Sequence, residues 1–239
     1  MDEKKSSGPV SRREVLVAGS LAAVAAGGHA EQAPVPRQPL AQKFDVQRFI
    51  EDCRLASANP ADAQKATQEV LAHAIANPQA VLAGVGEPKT GGIQTLFRSD
   101  GLTILNIVWS PLMQLMPHEH RMWSVIGIYT GREDNIFWQR QGPALAAQKA
   151  IALSKGSVVA LPHDVIHSVT NPIEKLTGAI HIYGGDFFAV PRSEWDPETL
   201  SERDWSLEKA KRIFEQSNER FSRQPRGCDG SAKPSTSDV

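Results

Sequence analysis

The sequence predicts a mainly β protein: one barrel or sandwich of short strands, with helices before it and a helix after it. Three observations carry that expectation. Apolar residues recur with a helical period ahead of Pro78 and with a period of two after Gly91-Gly92. The period-two runs are short and are bounded by Gly, Pro or Asn about every ten residues, the spacing of sandwiches and barrels. A helical period then returns at Leu207, Ala210, Ile213 and Phe214.

With 239 residues, 41% hydrophobic and 22% charged, the chain has the composition of a globular protein with one full core plus tails. A formal charge of -1 leaves no excess of either sign, which argues against nucleic acid or an anionic membrane surface as partner. Cys53 and Cys228 are the two cysteines, one in a predicted helix and one in a polar tail. Neither a disulfide framework nor a thiolate metal site can be built from them. Any metal must be held by His or carboxylate.

Residues 1–43 read as a leader and linker. Ser11-Arg12-Arg13-Glu14-Val15-Leu16 precedes an apolar run from Val15 to Ala26, too short for a mature membrane span and suited to the apolar centre of a signal peptide. The pattern resembles a twin-arginine export signal, although Val15 stands where Phe is favoured and Val17 where Lys is frequent. It implies export to the periplasm, cleavage near Gly28-His29-Ala30 and no stable membrane insertion of the mature protein. The alternative is an unprocessed leader on a cytoplasmic protein. Pro34, Pro36 and Pro39 mark Gln32 to Gln42 as a linker.

Residues 44–90 form the helical segment. Val46, Phe49, Ile50 and Cys53 follow helical spacing, with Asp45 as cap. Asn59-Pro60 opens a second helix, because Asn caps and Pro is tolerated at the first helical position. Val70, Leu71, Ala74 and Ile75 give that helix one apolar face, and Pro78 ends it. His73 lies off the stripe and is read as a solvated histidine.

Residues 91–190 form the barrel. Gln94 to Arg98 and Leu102 to Trp109 flank Ser99-Asp100-Gly101, and an Asp-Gly step between strand-like runs signals a hairpin. Further runs are Trp123 to Thr130, Asn135 to Arg140, Ile151 to Leu153, Val158 to Leu161, His167 to Thr170 and Leu176 to Tyr183. Residues 191–221 turn polar and then helical, with Glu194 to Arg203 read as a solvated loop. Residues 222–239 lose all periodicity and read as a disordered tail.

The chemistry sits in Met116-Pro117-His118-Glu119-His120. On a strand, alternation puts His118 and His120 on one face and Glu119 on the other. Two imidazoles then point the same way, and a third nitrogen from a distant strand completes one face of a metal's coordination sphere. That nitrogen can come from His163 or His167, or from His181 on a later run.

The segment Gly156 to Asn171 resembles the second motif of the cupins: a glycine, five residues, a proline, a histidine, and an asparagine after three more residues. Asp164 stands where that motif has a further glycine. His118-Glu119-His120, closed by Gly131, resembles the first motif, but Leu112 replaces its opening glycine and Ser124 or Val125 its glutamate ligand. Among cupins, three histidines without a carboxylate resemble the thiol dioxygenase branch, and His181-Ile182-Tyr183 is similar to the histidine and tyrosine that branch keeps on a later strand. Ala179 stands where the branch has a serine, and Val125 where its animal members have a crosslinking cysteine.

The resemblance covers roughly residues 95–190 and implies a single cupin barrel, a double-stranded β-helix or jelly roll. It further implies a mononuclear Fe(II) bound by His118, His120 and His167, with a small thiol and O2 as substrates and a sulfinic acid as product. Three neutral imidazoles leave the ion its full +2 charge, which favours an anionic thiolate ligand. Tyr183 is then expected to donate a hydrogen bond near bound oxygen or substrate carboxylate, with His181 orienting it. Arg98 is the expected partner of a substrate carboxylate, while Arg121, Arg132 and Arg140 are read as solvated charges. Tyr183 as a plain core aromatic is the competing reading. Met113, Met116, Trp109 and Trp123 are read as core or pocket wall. Two further readings stand beside the dioxygenase: a three-histidine Zn or Mn cupin with hydrolase or isomerase chemistry, and a non-catalytic metal- or ligand-binding cupin.

Overall fold

A computed structural model describes residues 44–223 apart from Pro143. The predicted leader, linker and most of the predicted tail, including Cys228, lie outside the described residues. Three helices come first: α1 (Val46–Ala56), α2 (Ala63–Ile75) and α3 (Pro78–Val85). Nine strands follow: β1 (Gly92–Arg98), β2 (Thr103–Trp109), β3 (Gln114–Glu119), β4 (Ser124–Thr130), β5 (Arg132–Gln141), β6 (Ala144–Ser154), β7 (Val158–Leu161), β8 (Ile166–Thr170) and β9 (Thr177–Tyr183). Two short strands, β10 (Ser193–Trp195) and β11 (Glu202–Asp204), lead into α4 (Leu207–Arg223). Among the described residues no helix is long and apolar enough to cross a membrane.

The Asp45 cap is present, its carboxylate accepting from Gln47 N at 2.9 Å and Arg48 N at 3.1 Å. The second helix differs from expectation. Residues 57–62 form turns, so Pro60 sits outside the helix, which starts at Ala63. The Asn-Pro logic operates one helix later instead: Asn77 caps α3 through Ala80 N and Pro78 takes its first turn. Pro78 therefore does more than follow the end of α2 at Ile75: it begins a third helix.

The strands form two sheets, both antiparallel, in the order β1-β2-β9-β4-β7 and β11-β10-β3-β8-β5-β6. This is the double-stranded β-helix that the motifs imply, with helices ahead of it and one behind. Alternation along β9 decides where its residues go. Ile180 and Ile182 pack outward with Phe49, Leu71, Ile75 and Val81 of the helices, while Tyr183 joins an interior cluster with Leu105, Ile107, Trp109 and Met116. Each large apolar side chain buried this way contributes about 1.5–3 kcal/mol. At Gly127 of β4 a Cβ would meet Ile75 at 2.7 Å and Leu71 at 3.0 Å, so glycine there lets α2 lie close on the sheet.

The C-terminal helix packs on the other part of the interior cluster. Phe214 stacks on Trp109 at 5.4 Å, and Asn218 bonds both backbone groups of Gly91 and the Ser110 hydroxyl. The run Glu194 to Arg203 is not a free loop. Its strands β10 and β11 extend the second sheet beside β3, and Glu194 is buried because Lys209 and Ser206 N of the α4 start meet its carboxylate.

Candidate metal centre

Strand register brings the histidines together. His118 on β3 lies directly opposite His167 on β8, so both side chains share the inner face. A register shift between Leu115 and His118 accommodates Pro117, which a regular ladder would not take. His120 follows the last residue of β3, and Arg121 then turns the chain with φ of 54°. Glu119 points the other way, to Arg121, Arg140 and Ser193 N.

The ligand atoms of His118, His120 and His167 all lie within 4.8 Å of one another, and all three residues are buried. The Nε2 atoms of His118 and His167 are each 3.2 Å from Nε2 of His120. Metal–nitrogen bonds of about 2.1 Å put two nitrogens about 3.0 Å apart at a right angle and about 3.4 Å apart at the tetrahedral angle. The observed spacing suits either geometry.

The far ring nitrogens are tied down. His118 Nδ1 donates to the Met116 carbonyl at 3.0 Å, His167 Nδ1 meets Asn135 Oδ1 at 2.7 Å, and His120 Nδ1 lies 3.5 Å from the Ser124 hydroxyl. A proton on Nδ1 leaves Nε2 with a free lone pair, which is the form a metal takes. Burial pushes His118 down to about 4, against the opposing pull of the Met116 carbonyl, and holds His120 and His167 well below the ordinary range, helped by the neighbouring imidazoles. Three neutral, pre-aimed imidazoles fit a divalent ion with open positions.

His163 is exposed on the turn before β8 and stands apart from this cluster. His73 is exposed on α2. Arg98 is half exposed, and its guanidinium is bonded to both oxygens of Asp186 at 2.9 and 2.8 Å. Arg132 and Arg140 are likewise paired, with Asp134 and Glu202.

Tyr183 stands edge-on to His120, ring centroids 4.9 Å apart at 87°, and its hydroxyl lies 3.2 Å from His181 Nδ1. Burial pushes its phenol up, so the group is neutral. His181 turns its Nε2 away from the three ligands toward Glu133 Oε2, at 3.3 Å. Ala179, two residues earlier on the same face, is fully buried and carries no polar atom to add.

Two residues here carry no motif. Arg192 is 5% exposed, and its guanidinium lies 4.2 Å from the Phe187 ring centre and 4.7 Å from that of Trp205. Phe187 in turn packs on Tyr183 at 4.4 Å, and Trp205 on His118 at 5.2 Å. Arg192 donates to the Phe187 and Val190 carbonyls, leaves Nε without a partner, and makes no ion pair among the described residues. Burial lowers it to about 10, so it is a cation at neutral pH. Glu133, wholly buried on β5, is the second. The signal for it was parity: Glu133, Asn135 and Phe137 share the phase of β5 whose pairing sets Phe137 opposite His167.

No protein-family model matches the chain. Solved structures similar to it include an RmlC-like cupin family protein from Methanocaldococcus jannaschii, at 16% identity over 43% of this chain and 86% of that one, with a TM-score of 0.36. A cupin superfamily protein from Desulfitobacterium hafniense matches at 16% identity over 46% of this chain and 87% of that one, with a TM-score of 0.34. A conserved protein with a double-stranded β-helix domain from Klebsiella pneumoniae matches at 9% identity over 42% and 78%, with a TM-score of 0.35. Function must therefore be argued from the site itself.

Proposed function

We propose that the protein is an iron-dependent thiol dioxygenase-like enzyme that adds both atoms of O2 to the sulfur of a small carboxylated thiol, giving a sulfinic acid. The observation that carries the reading is the pairing of an all-imidazole, carboxylate-free donor set with a buried arginine that has no anionic partner among the described residues. Such a site attracts a dianion. A thiol that also bears a carboxylate, once ionised at sulfur, has two negative ends for the two positive centres.

His118, His120 and His167 would hold the ion. When bound, divalent iron supplies the charge that favours the thiolate and the redox chemistry that activates oxygen. The chain's own residues do the rest. Arg192 presents a planar fork to the carboxylate, in place of Arg98, whose fork Asp186 already fills. The Phe187 and Trp205 rings hold that fork and exclude water. Tyr183 sets a neutral phenol beside His120, held by His181.

The test is oxygen uptake by iron-loaded protein with 3-mercaptopropionate, cysteine and cysteamine. Uptake with the first two, and little with cysteamine, is expected. No uptake with any thiol rejects the reading. The zinc or manganese alternative draws on the 3.2 Å nitrogen spacing, which suits a tetrahedral ion equally, and metal analysis of protein purified without added metal decides between them. Export by the twin-arginine-like leader remains part of the proposal, and the mature N-terminus read by mass spectrometry tests it.

A further inference from the structure

Glu133 is a carboxylate in the interior of the barrel with no lysine or arginine within ion-pair distance among the described residues. Such a group is costly to bury and is kept only where its oxygens are satisfied. They are. Oε2 accepts from Trp109 Nε1 at 2.7 Å and faces His181 Nε2 at 3.3 Å; Oε1 accepts from Asn135 Nδ2 at 3.0 Å. Burial pushes this carboxyl up, but the His181 ring and the Asn135 and Trp109 N–H groups converging on its two oxygens hold it below the ordinary range, and three convergent donors suit the ionised form.

We propose that Glu133 is a positioning residue that fixes, through its two oxygens, which nitrogen carries the proton on both His167 and His181. The proposal rests on the reading of His118, His120 and His167 as a metal site and is independent of the substrate. An ionised carboxylate only accepts. Asn135 must therefore turn its NH2 to Glu133, which aims its oxygen at His167 Nδ1, 2.7 Å away. His167 is thereby protonated on Nδ1 and offers a bare Nε2 to the metal. By the same rule His181 carries its proton on Nε2, and its Nδ1 accepts from the Tyr183 hydroxyl, 3.2 Å away. The phenol hydrogen then points at His181, and its oxygen turns lone pairs outward, the reverse of the donor role expected from the motif.

One side chain thus sets a ligand from one sheet and the His181–Tyr183 pair from the other. The resemblance gives the third place beside that pair to a serine two residues earlier on the same strand, where this chain has Ala179. Glu133 reaches the pair from β5 of the facing sheet instead.

Glu133→Gln keeps the shape and replaces one acceptor oxygen by a donor NH2. With the NH2 toward Asn135, that carboxamide turns over and His167 moves its proton to Nε2. With the NH2 toward His181, that ring moves its proton to Nδ1. Two-bond proton–nitrogen correlation spectra of the imidazoles in metal-free protein read these states directly. The expected wild-type result is Nδ1–H on His167 and Nε2–H on His181. In Glu133→Gln at least one of the two is switched or mixed, and where it is His167, zinc affinity by chelator competition falls roughly 10- to 100-fold. The opposite tautomer on either ring in the wild type overturns the proposal without reference to any variant. Unchanged tautomers in folded Glu133→Gln overturn it too and leave Glu133 a packing residue. Neither result depends on oxygen uptake, so failure of the dioxygenase reading is separately visible.

Discussion

The indole of Trp205 lies against the imidazole of His118, ring centroids 5.2 Å apart and tilted by 39°. Trp205 arrives from the short segment between β11 and α4; Phe187 packs beside His120 with ring centroids 6.1 Å apart, and Arg192 lies against both the Phe187 and the Trp205 rings. If an ion held by the three imidazoles leaves past Trp205, the indole must first move aside. Trp205→Ala removes contacts worth about 1–2 kcal/mol to the closed form, which speeds escape roughly 5- to 30-fold. The expected result is faster stripping of zinc by excess chelator with a much smaller change in equilibrium affinity, because no ligand is touched. An unchanged stripping rate would remove Trp205 from the route.

Arg192 is predicted to select the substrate's carboxylate. A charge-assisted hydrogen bond contributes about 1.5–3 kcal/mol, so Arg192→Leu should lower kcat/KM for 3-mercaptopropionate about 10- to 150-fold while iron content stays at the wild-type level. Arg192→Lys keeps the charge, loses the fork and should fall between the two. The same loss in Arg98→Leu and none in Arg192→Leu would return the role to Arg98.

Leu112 takes the left-handed region at φ of 56° and is half exposed. Glycine is the residue that takes this region without steric cost. A non-glycine residue there costs about 1–2 kcal/mol, and glycine gives back about 0.5–1 kcal/mol as extra freedom of the unfolded chain. Leu112→Gly should therefore stabilise by about 0.5–1 kcal/mol, seen as a Tm higher by roughly 1–4 °C. A lower Tm would mean that the Leu112 side chain carries packing its exposure hides.

Cys53 is fully buried against the sheet, and burial, aided by Asp52, raises its thiol to about 12. Native protein should resist alkylation at pH 8 at this position and react on unfolding. The sign for stability follows from the raised value. The thiol's contribution is whole below pH 9, where both states are protonated, and is lost as pH rises toward 12, at about 1.4 kcal/mol per pH unit. Cys53→Ala should flatten that alkaline decline in a denaturant series, and an unchanged slope would assign the decline to other groups.

The barrel and the clustering of its three histidines are legible because both leave a periodic trace. A strand of period two must put His118 and His120 on one face, and the proline-to-asparagine spacing around His167 marks the opposing strand. What the local pattern does not mark has a common physical cause. Glu194, Glu133 and Arg192 are polar residues whose burial depends on partners far along the chain: Lys209 for the first, Trp109 and His181 for the second, the Phe187 and Trp205 rings for the third. Local polarity suggests water for all three. Arg98 stands before the first histidine pair, yet Asp186, 88 residues later, pairs with it.

The three imidazoles all belong to β3, its end and β8, neighbours in one sheet, whereas His181 and Tyr183 belong to β9 in the other. On the proposed function, grip and reactivity are mounted on separate plates that meet face to face. A slight slide between the plates would leave the ion as firmly held as before while shifting the phenol relative to whatever is bound. Substitutions on the outer face of β9, at Ile180 or Ile182 beneath the helices, are therefore a means of tuning turnover without touching metal affinity.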